Sequence, residues 1–314
     1  MVENEIELPS NTSTINNYAF YRYNNLTTII IPDSVTTIGE DSFYYCENLV
    51  NLVIGDGVTE IGDYAFNGCP LEKVIMGNGL NAIPNTLIGN TVITESKLKE
   101  FVIGNGVQTI EESTFYYCKY LTCVTIGENV QTIDNQAFYS CSALTSIYIP
   151  DSVTTIGESA FRDCTSMKNV TIGKNVQTIG NEAFSNCYAL ESITIPDSTV
   201  TIGDYAFYVC RNLTNVTLGK NIETIGDYAF CACKITDIII PSSIIEFGEH
   251  AFSECTNLTS VIIEKGVQTI GNFAFYGCYN LKDVYYSGTQ EEWESITIGD
   301  YNEGLTDATI HYNS

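Results

Sequence analysis

Basic side chains are scarce in this chain: 13 Lys and Arg stand against 38 Asp and Glu over 314 residues, for a formal charge of −25. Nucleic acid is bound by neutralising phosphates with Lys and Arg, so it is excluded as a partner. Anionic membrane surfaces are disfavoured for the same reason. An acidic surface keeps a chain soluble and selects neutral or basic partners. Histidine is almost missing, with only His250 and His311, and neither has motif partners. No His-Glu-x-x-His, Gly-x-Ser-x-Gly or phosphate loop occurs, so no residue is nominated for catalysis, for a cofactor or for a metal. No apolar run approaches the roughly 20 residues needed to cross a bilayer, which excludes membrane insertion by a helix. The opening Met-Val-Glu-Asn-Glu-Ile-Glu is acidic and is not a secretory leader.

What the chain has is one unit, repeated about every 23 residues. From Leu144 it reads Leu-Thr-Ser-Ile-Tyr-Ile-Pro-Asp-Ser-Val-Thr-Thr-Ile-Gly-Glu-Ser-Ala-Phe-Arg-Asp-Cys, and the next copy starts at Met167. The Phe of this unit recurs from Phe20 to Phe275. Between Phe66 and Phe115 lies a degenerate copy, with Ile83 and Ile88 standing for Ile61 and Phe66 and about four extra residues before Leu98. A fixed period of this size predicts a solenoid, because each coil is too small to bury its own apolar face and must stack on its neighbours.

Within a coil, Leu144, Ile147 and Ile149 alternate with Ser146 and Tyr148, the period of two of a strand. Pro150-Asp151-Ser152 is turn chemistry, after which Val153 and Ile156 bury a second extended piece. Ser159 to Cys164 is expected to form one helical turn. The residue after Ile-Gly is Glu, Asp or Asn (Glu40, Asp63, Glu158, Asn181, Asp204, Asp227, Glu249, Asn272), as suits a helix start. Stacked coils put equivalent strands about 4.8 Å apart in one parallel sheet, and thirteen strand positions from Ile6 to Val284 predict a length of about 60 Å.

Ten of the twelve Cys fall three residues after the Phe position. They read as a buried, reduced ladder, since parallel side chains do not aim at one another as a disulfide requires. Burial would protect thiols inside or outside the cell, so Cys usage does not reveal the compartment. Cys123 is off the ladder and is the thiol expected to react. Cys231-Ala-Cys233 is weak as a metal motif. The Gly-x-Gly pairs at Gly55, Gly77 and Gly104 are repeat turns, not a dinucleotide fingerprint. Asp300 to Asp307 resembles a calcium loop faintly but lacks its terminal Glu.

The two ends differ. Residues 287–314 leave the repeat and carry the only Trp, so the domain reading is a solenoid over 1–286, with an irregular coil at 77–103, followed by a C-terminal cap over 287–314. A ligand site on Trp293 is the alternative use of that segment. At the other end, Ile6-Glu-Leu8-Pro9 aligns with Ile147-Tyr-Ile149-Pro150, so the sequence begins inside a repeat. It is expected to be trimmed, having lost a signal peptide and further repeats.

The pattern Leu-x-x-Ile-x-Ile-Pro-x-x-Val-x-x-Ile-Gly-x-x-Ala-Phe-x-x-Cys resembles the BspA-like subgroup of leucine-rich repeat proteins over nearly the whole chain. It departs from ordinary leucine-rich repeats in having Val153 about where their internal Asn lies. The resemblance implies an α/β repeat fold: a right-handed, curved leucine-rich-repeat solenoid with a long parallel β-sheet, short helical turns and a C-terminal cap. It also implies display on a cell surface or secretion, and adhesion to host proteins, extracellular matrix among them, or to other cells. The outward column at the middle of each strand has no charge from Ile30 to Tyr285. Within it Thr125, Tyr148, Thr171, Thr194, Thr217, Ile239, Ile262 and Tyr285 form the candidate face for a protein or glycan partner. A spacer displaying another domain, or a polysaccharide-binding accessory, is the competing use of such a fold.

Overall fold

The computed structural model describes residues 5–88 and 96–313. Each repeat is one coil with a long and a short strand, as in Ser146–Tyr148 and Thr155–Ile156. All strands pair in parallel with their counterparts in adjacent coils, so Ile147 lies opposite Val170 and Ile156 opposite Ile179. The long strands form a six-stranded sheet from Glu5–Glu7 to Cys123–Thr125 and an eight-stranded sheet from Ser146–Tyr148 to Thr309–Tyr312. Among the short strands, three run from Thr14–Ile15 to Glu60–Ile61 and nine from Thr109–Ile110 to Thr297–Ile298. Ile6 sits opposite Ile29, as its alignment with Ile147 requires. Leu144, Ile147, Ile149, Val153 and Ile156 are buried, whereas Ser146 and Tyr148 are exposed.

Because every coil carries the same residue at the same point, the core is a set of ladders. Phe115, Phe138, Phe161, Phe184, Phe207 and Phe230 are fully buried, with successive ring centroids 4.9 to 5.3 Å apart and planes within 9°. That spacing is close to the interval between neighbouring strands, so the coil pitch, not ring preference, sets it. The degenerate coil interrupts this order. Lys73–Ile75 pairs directly with Glu100–Val102, so the long-strand sheet passes through it, but the short-strand sheet breaks. No short strand forms at Ala82-Ile83, a 3₁₀ turn at Asn85–Leu87 takes the place of the corner, and Leu87, not the expected Ile88, is the fully buried residue there. Phe101 fills the gap in the Phe ladder, meeting Phe115 edge-on at 5.1 Å and 74°.

The corner expected to be helical is not a helix. Ser159 and Asp163 are left-handed, at φ 53° and 60°, and equivalent pairs recur along the stack. The backbone N–H groups of Ser159, Phe161 and Asp163 donate to the carbonyls of Asn181, Ala183 and Ser185 in the next coil, at 2.8 to 2.9 Å. Those of Ala160, Arg162 and Cys164 donate three residues back, to Gly157, Ser159 and Phe161. Left-handed backbone costs an L-residue about 1–2 kcal/mol, and this alternation offsets it by leaving no corner N–H unsatisfied.

The segment expected to cap the solenoid continues it. A short helix, Gln290–Glu294, starts with a capping box between Thr289 and Glu292. Thr297–Ile298 then pairs with Thr269–Ile270, and Thr309–Tyr312 pairs in register with Asp283–Tyr286. Trp293 is buried, edge-on to Tyr286 at 5.4 Å, so it belongs to the core and is not an open ligand platform. Asn302, 3% exposed, takes over a backbone role. Its Oδ1 accepts the N–H of Phe275 at 2.9 Å, a bond made elsewhere by the carbonyl of the next coil's Ala. Its Nδ2 donates to the carbonyls of Gly299 and Gly271 at 2.8 and 3.0 Å. An Asn302→Ala variant should therefore lose about 1–3 kcal/mol of stability, read as a lower urea midpoint, because it strands a buried N–H and two carbonyls. An unchanged midpoint would contradict this account.

Candidate functional site: the long-sheet face

The candidate column lies in the long-strand sheets. Thr125, Tyr148, Thr171, Thr194, Thr217, Ile239 and Ile262 are all exposed, with Tyr148 and Ile239 each 52% accessible. Tyr285 is half-buried, because the ring of His311 stacks on it at 4.7 Å. His311 in turn places Nε2 2.8 Å from Asp283 Oδ1. Register extends the column to Glu7, opposite Ile30, and to His311, opposite Tyr285, so the uncharged stretch has polar residues at both ends. The structure does not hold all eight residues in one sheet. Thr125 is on the last strand of the six-stranded sheet, whereas Tyr148 to Tyr285 lie on the eight-stranded one. Among the described residues, the hydroxyls of Thr125, Thr171, Thr194 and Thr217 make no side-chain hydrogen bond. They are open to a partner as donors and acceptors.

The neighbouring outward column is polar, and where it carries opposite charges they pair, as in Lys73–Glu100 at 2.9 Å. Cys123, in this column, is exposed as expected.

The acidic and amide residues after Ile-Gly do not cap helices. They form a surface ladder between coils. Asn135 Oδ1 accepts the N–H of Glu158 at 2.8 Å, Asn181 that of Asp204 at 2.9 Å and Asp204 that of Asp227 at 2.9 Å. A second such row follows the long strands, where Asp151 accepts the N–H of Lys174 and Asp197 that of Lys220, both at 2.9 Å. Glycine lets the corner row close: a Cβ on Gly226 would collide with Asp204 Oδ1 and its backbone nitrogen.

All twelve Cys are free, and the ten of the ladder are buried. Each regular member does more than fill space. The thiol of Cys164 donates to the carbonyl of Phe138 at 3.2 Å, and Cys187 and Cys210 do the same to Phe161 and Phe184. Burial pushes the thiols of Cys141, Cys164 and Cys255 well above the ordinary range, and those of Cys118 and Cys278 up to about 11 and about 12.

Sequence reasoning passed over one further row. Tyr205, Tyr228, His250, Phe273 and Tyr301 stack at the left-handed corner of five successive coils, with centroids 4.3 to 4.7 Å apart. An aromatic two residues after Gly in five consecutive copies was the available signal.

A profile of the BspA-type leucine-rich repeat region, six copies long, matches residues 3–91, 86–198 and 177–298. The chain belongs to the BspA-type leucine-rich repeat family. A leucine-rich cell-surface protein from Faecalibacterium prausnitzii is 28% identical, over 94% of this BspA-type chain and 90% of its own, with a TM-score of 0.44. A leucine-rich repeat protein from Bacteroides ovatus is also 28% identical, over 96% of this chain and 66% of its own, with a TM-score of 0.47. An internalin from Listeria monocytogenes is 14% identical over 93% and 81% of the two chains, at a TM-score of 0.40. Curated proteins give no match.

The BspA-type thiol ladder has a pH consequence. The folded state keeps protons on thiols that the unfolded chain releases above about pH 8.5, so stability should fall as pH rises past that value and on toward the folded pKa values. The urea midpoint is therefore expected to be lower at pH 10 than at pH 7, and an equal midpoint would refute the linkage. At neutral pH a thiol reagent should label one residue, Cys123, in the native protein and all twelve after unfolding.

Proposed function

We propose that this chain is a non-enzymatic adhesion or protein-interaction module of the extracellular space or cell surface, and that its partner docks on the long-sheet face. The observation that carries this reading is the exposed, uncharged column on a chain of net charge −25, with Thr hydroxyls left unbonded at Thr171, Thr194 and Thr217. Such a strip can be desolvated against a protein or glycan without burying charge, which is the costly step at an interface. Family membership supports interaction as the task, and the surface origin named for the Faecalibacterium protein supports the location. Among the described residues no helix is long and apolar enough to cross a membrane.

A polysaccharide-binding accessory would need several open ring faces along the sheet. Tyr148 and Tyr285 lie far apart on the eight-stranded sheet, and His311 covers one face of Tyr285.

The test is binding of the whole chain to an array of matrix proteins, mucins and glycans, beside a triple Thr171→Lys, Thr194→Lys, Thr217→Lys variant. The three sites are exposed, so the variant should fold with changes within about 0.5 kcal/mol per site. It is expected to lose the partner by about tenfold or more, since buried unpaired ammonium groups cost over 1.4 kcal/mol. Equal binding by the variant would remove the sheet face from consideration, and no binding by either chain would favour a spacer.

A further inference from the structure

The aromatic row at the corner does not belong to the sheet face, yet it follows the same rule of one residue per coil. Tyr205 and Tyr228 stack at 4.7 Å with planes 4° apart, Tyr228 and His250 at 4.3 Å, His250 and Phe273 at 4.5 Å, and Phe273 and Tyr301 at 4.4 Å. All five are partly or fully solvent-accessible, and Tyr301 is 55% exposed. Nothing in the core needs them: the same corner position is Ser113 and Ser159 in other coils, with the same left-handed backbone. Each aromatic directly follows an acidic or amide residue, in order Asp204, Asp227, Glu249, Asn272 and Asp300. A trough of about 480 Å³ is lined by Asp204, Glu223, Asp227 and Glu246 together with Gly226 and Gly248, so it includes the two residues that immediately precede Tyr205 and Tyr228. None of these carboxylates, nor Glu249 or Asp300, is in an ion pair among the described residues. Coils further toward the N-terminus differ, because Arg162 there pairs with Asp163 and Glu182, and Lys174 with Asp151.

The arrangement restricts the ligand. Neighbouring rings cover both faces of Tyr228, His250 and Phe273, so a sugar that binds by lying on a ring face finds the interior of the row closed. What the row offers is a strip of ring edges and phenol oxygens, apolar along its length, beside a line of carboxylates with no cation of their own. Guanidinium and ammonium groups match the carboxylates, and their methylene stems match the ring edges. Burial, neighbouring rings and the carboxylates hold the phenols of Tyr205 and Tyr228 above their ordinary range, so both remain neutral hydroxyls well into alkaline pH.

We infer that the corner from Tyr205 to Tyr301 is a second docking surface, for an Arg- and Lys-rich segment of a partner protein. A linear array of like charges at the coil pitch favours a multivalent basic segment over a single cation, and makes the encounter fast and salt-sensitive.

The test is fluorescence anisotropy of a labelled nona-arginine peptide with the full chain. An Asp204→Asn, Asp227→Asn, Glu249→Gln variant removes the charge, while Asn181 and Asn272 show that an amide serves this position. A Tyr205→Ser, Tyr228→Ser variant removes two rings at a position where Ser113 and Ser159 occur natively. The control is Asp33→Asn, Asp56→Asn, Asp197→Asn, which removes equal charge from the aromatic-free row after the long strands. The carboxylate variant should bind at least about tenfold more weakly and the ring variant about threefold, with the control changed less than about twofold. The inference is overturned if the parent does not bind, if the control loses as much as the carboxylate variant, or if the ring variant binds like the parent. The last two outcomes would leave only an acidic attraction that does not use the ring row, and the sheet-face reading would be untouched by any of the three.

Discussion

Every part of this molecule depends on one constraint: a coil satisfies its backbone only through the coils on either side. A single coil has a long strand of three or four residues, a short one of two, and a corner in which every second N–H points out of it along the stack. None of these closes a hydrogen-bonded structure alone. Stacked at the strand interval, all of them do. The pitch then dictates the rest. It sets the spacing of the Phe rings, and it brings the thiol of each regular ladder Cys to the carbonyl of the preceding coil's Phe. It also leaves no space for a side chain at Gly226. Residues that look like separate motifs within one repeat are successive steps of the same ladder.

This explains what could be read from the sequence and what could not. The inward positions Leu144, Ile147, Ile149, Val153 and Ile156 were evident, because alternation along a strand is local and depends on burial alone. The Cys ladder was evident in placement but not in chemistry, since the thiol's acceptor is 26 residues away and is a backbone atom. The corner was misread for a related reason. Small and polar residues beside an acidic one suit a helix start, and the same features suit a left-handed turn whose acidic residue bonds to the next coil's N–H instead. Local spacing cannot separate the two, because the deciding bonds run from residue 159 to residue 181 and not within the turn. Likewise Trp293 sits in a segment that breaks the repeat pattern, and only pairing of Thr309–Tyr312 with Asp283–Tyr286 reveals that the segment is one more coil. Seven of the eight column residues are exposed and Tyr285 is half-buried, and the division of the column between two sheets at Thr125 has no counterpart in the repeat.

The degenerate coil shows how far the constraint can be relaxed. The long-strand sheet bridges it without a break in register, from Lys73–Ile75 to Glu100–Val102, while the short-strand sheet and the Phe ladder both stop. Phe101 restores contact by placing a ring from the strand where the corner ring is missing. One continuous ladder and a filled core are therefore sufficient to carry the stack across an irregular coil.

A repeat of this kind separates stability from recognition with unusual economy. Inward positions are held nearly constant, since a change there alters two interfaces at once. Outward positions are free, and each one, once chosen, is copied into a line at fixed pitch. The long-sheet column holds Thr, Ile and Tyr without charge, while the corner over the last five coils holds rings next to carboxylates that form no ion pair among the described residues. Two surfaces of different character therefore coexist on one core: an uncharged strip along the long strands, and an acidic, aromatic edge at the corner. In both, the coil pitch turns one choice of side chain into a line of evenly spaced groups.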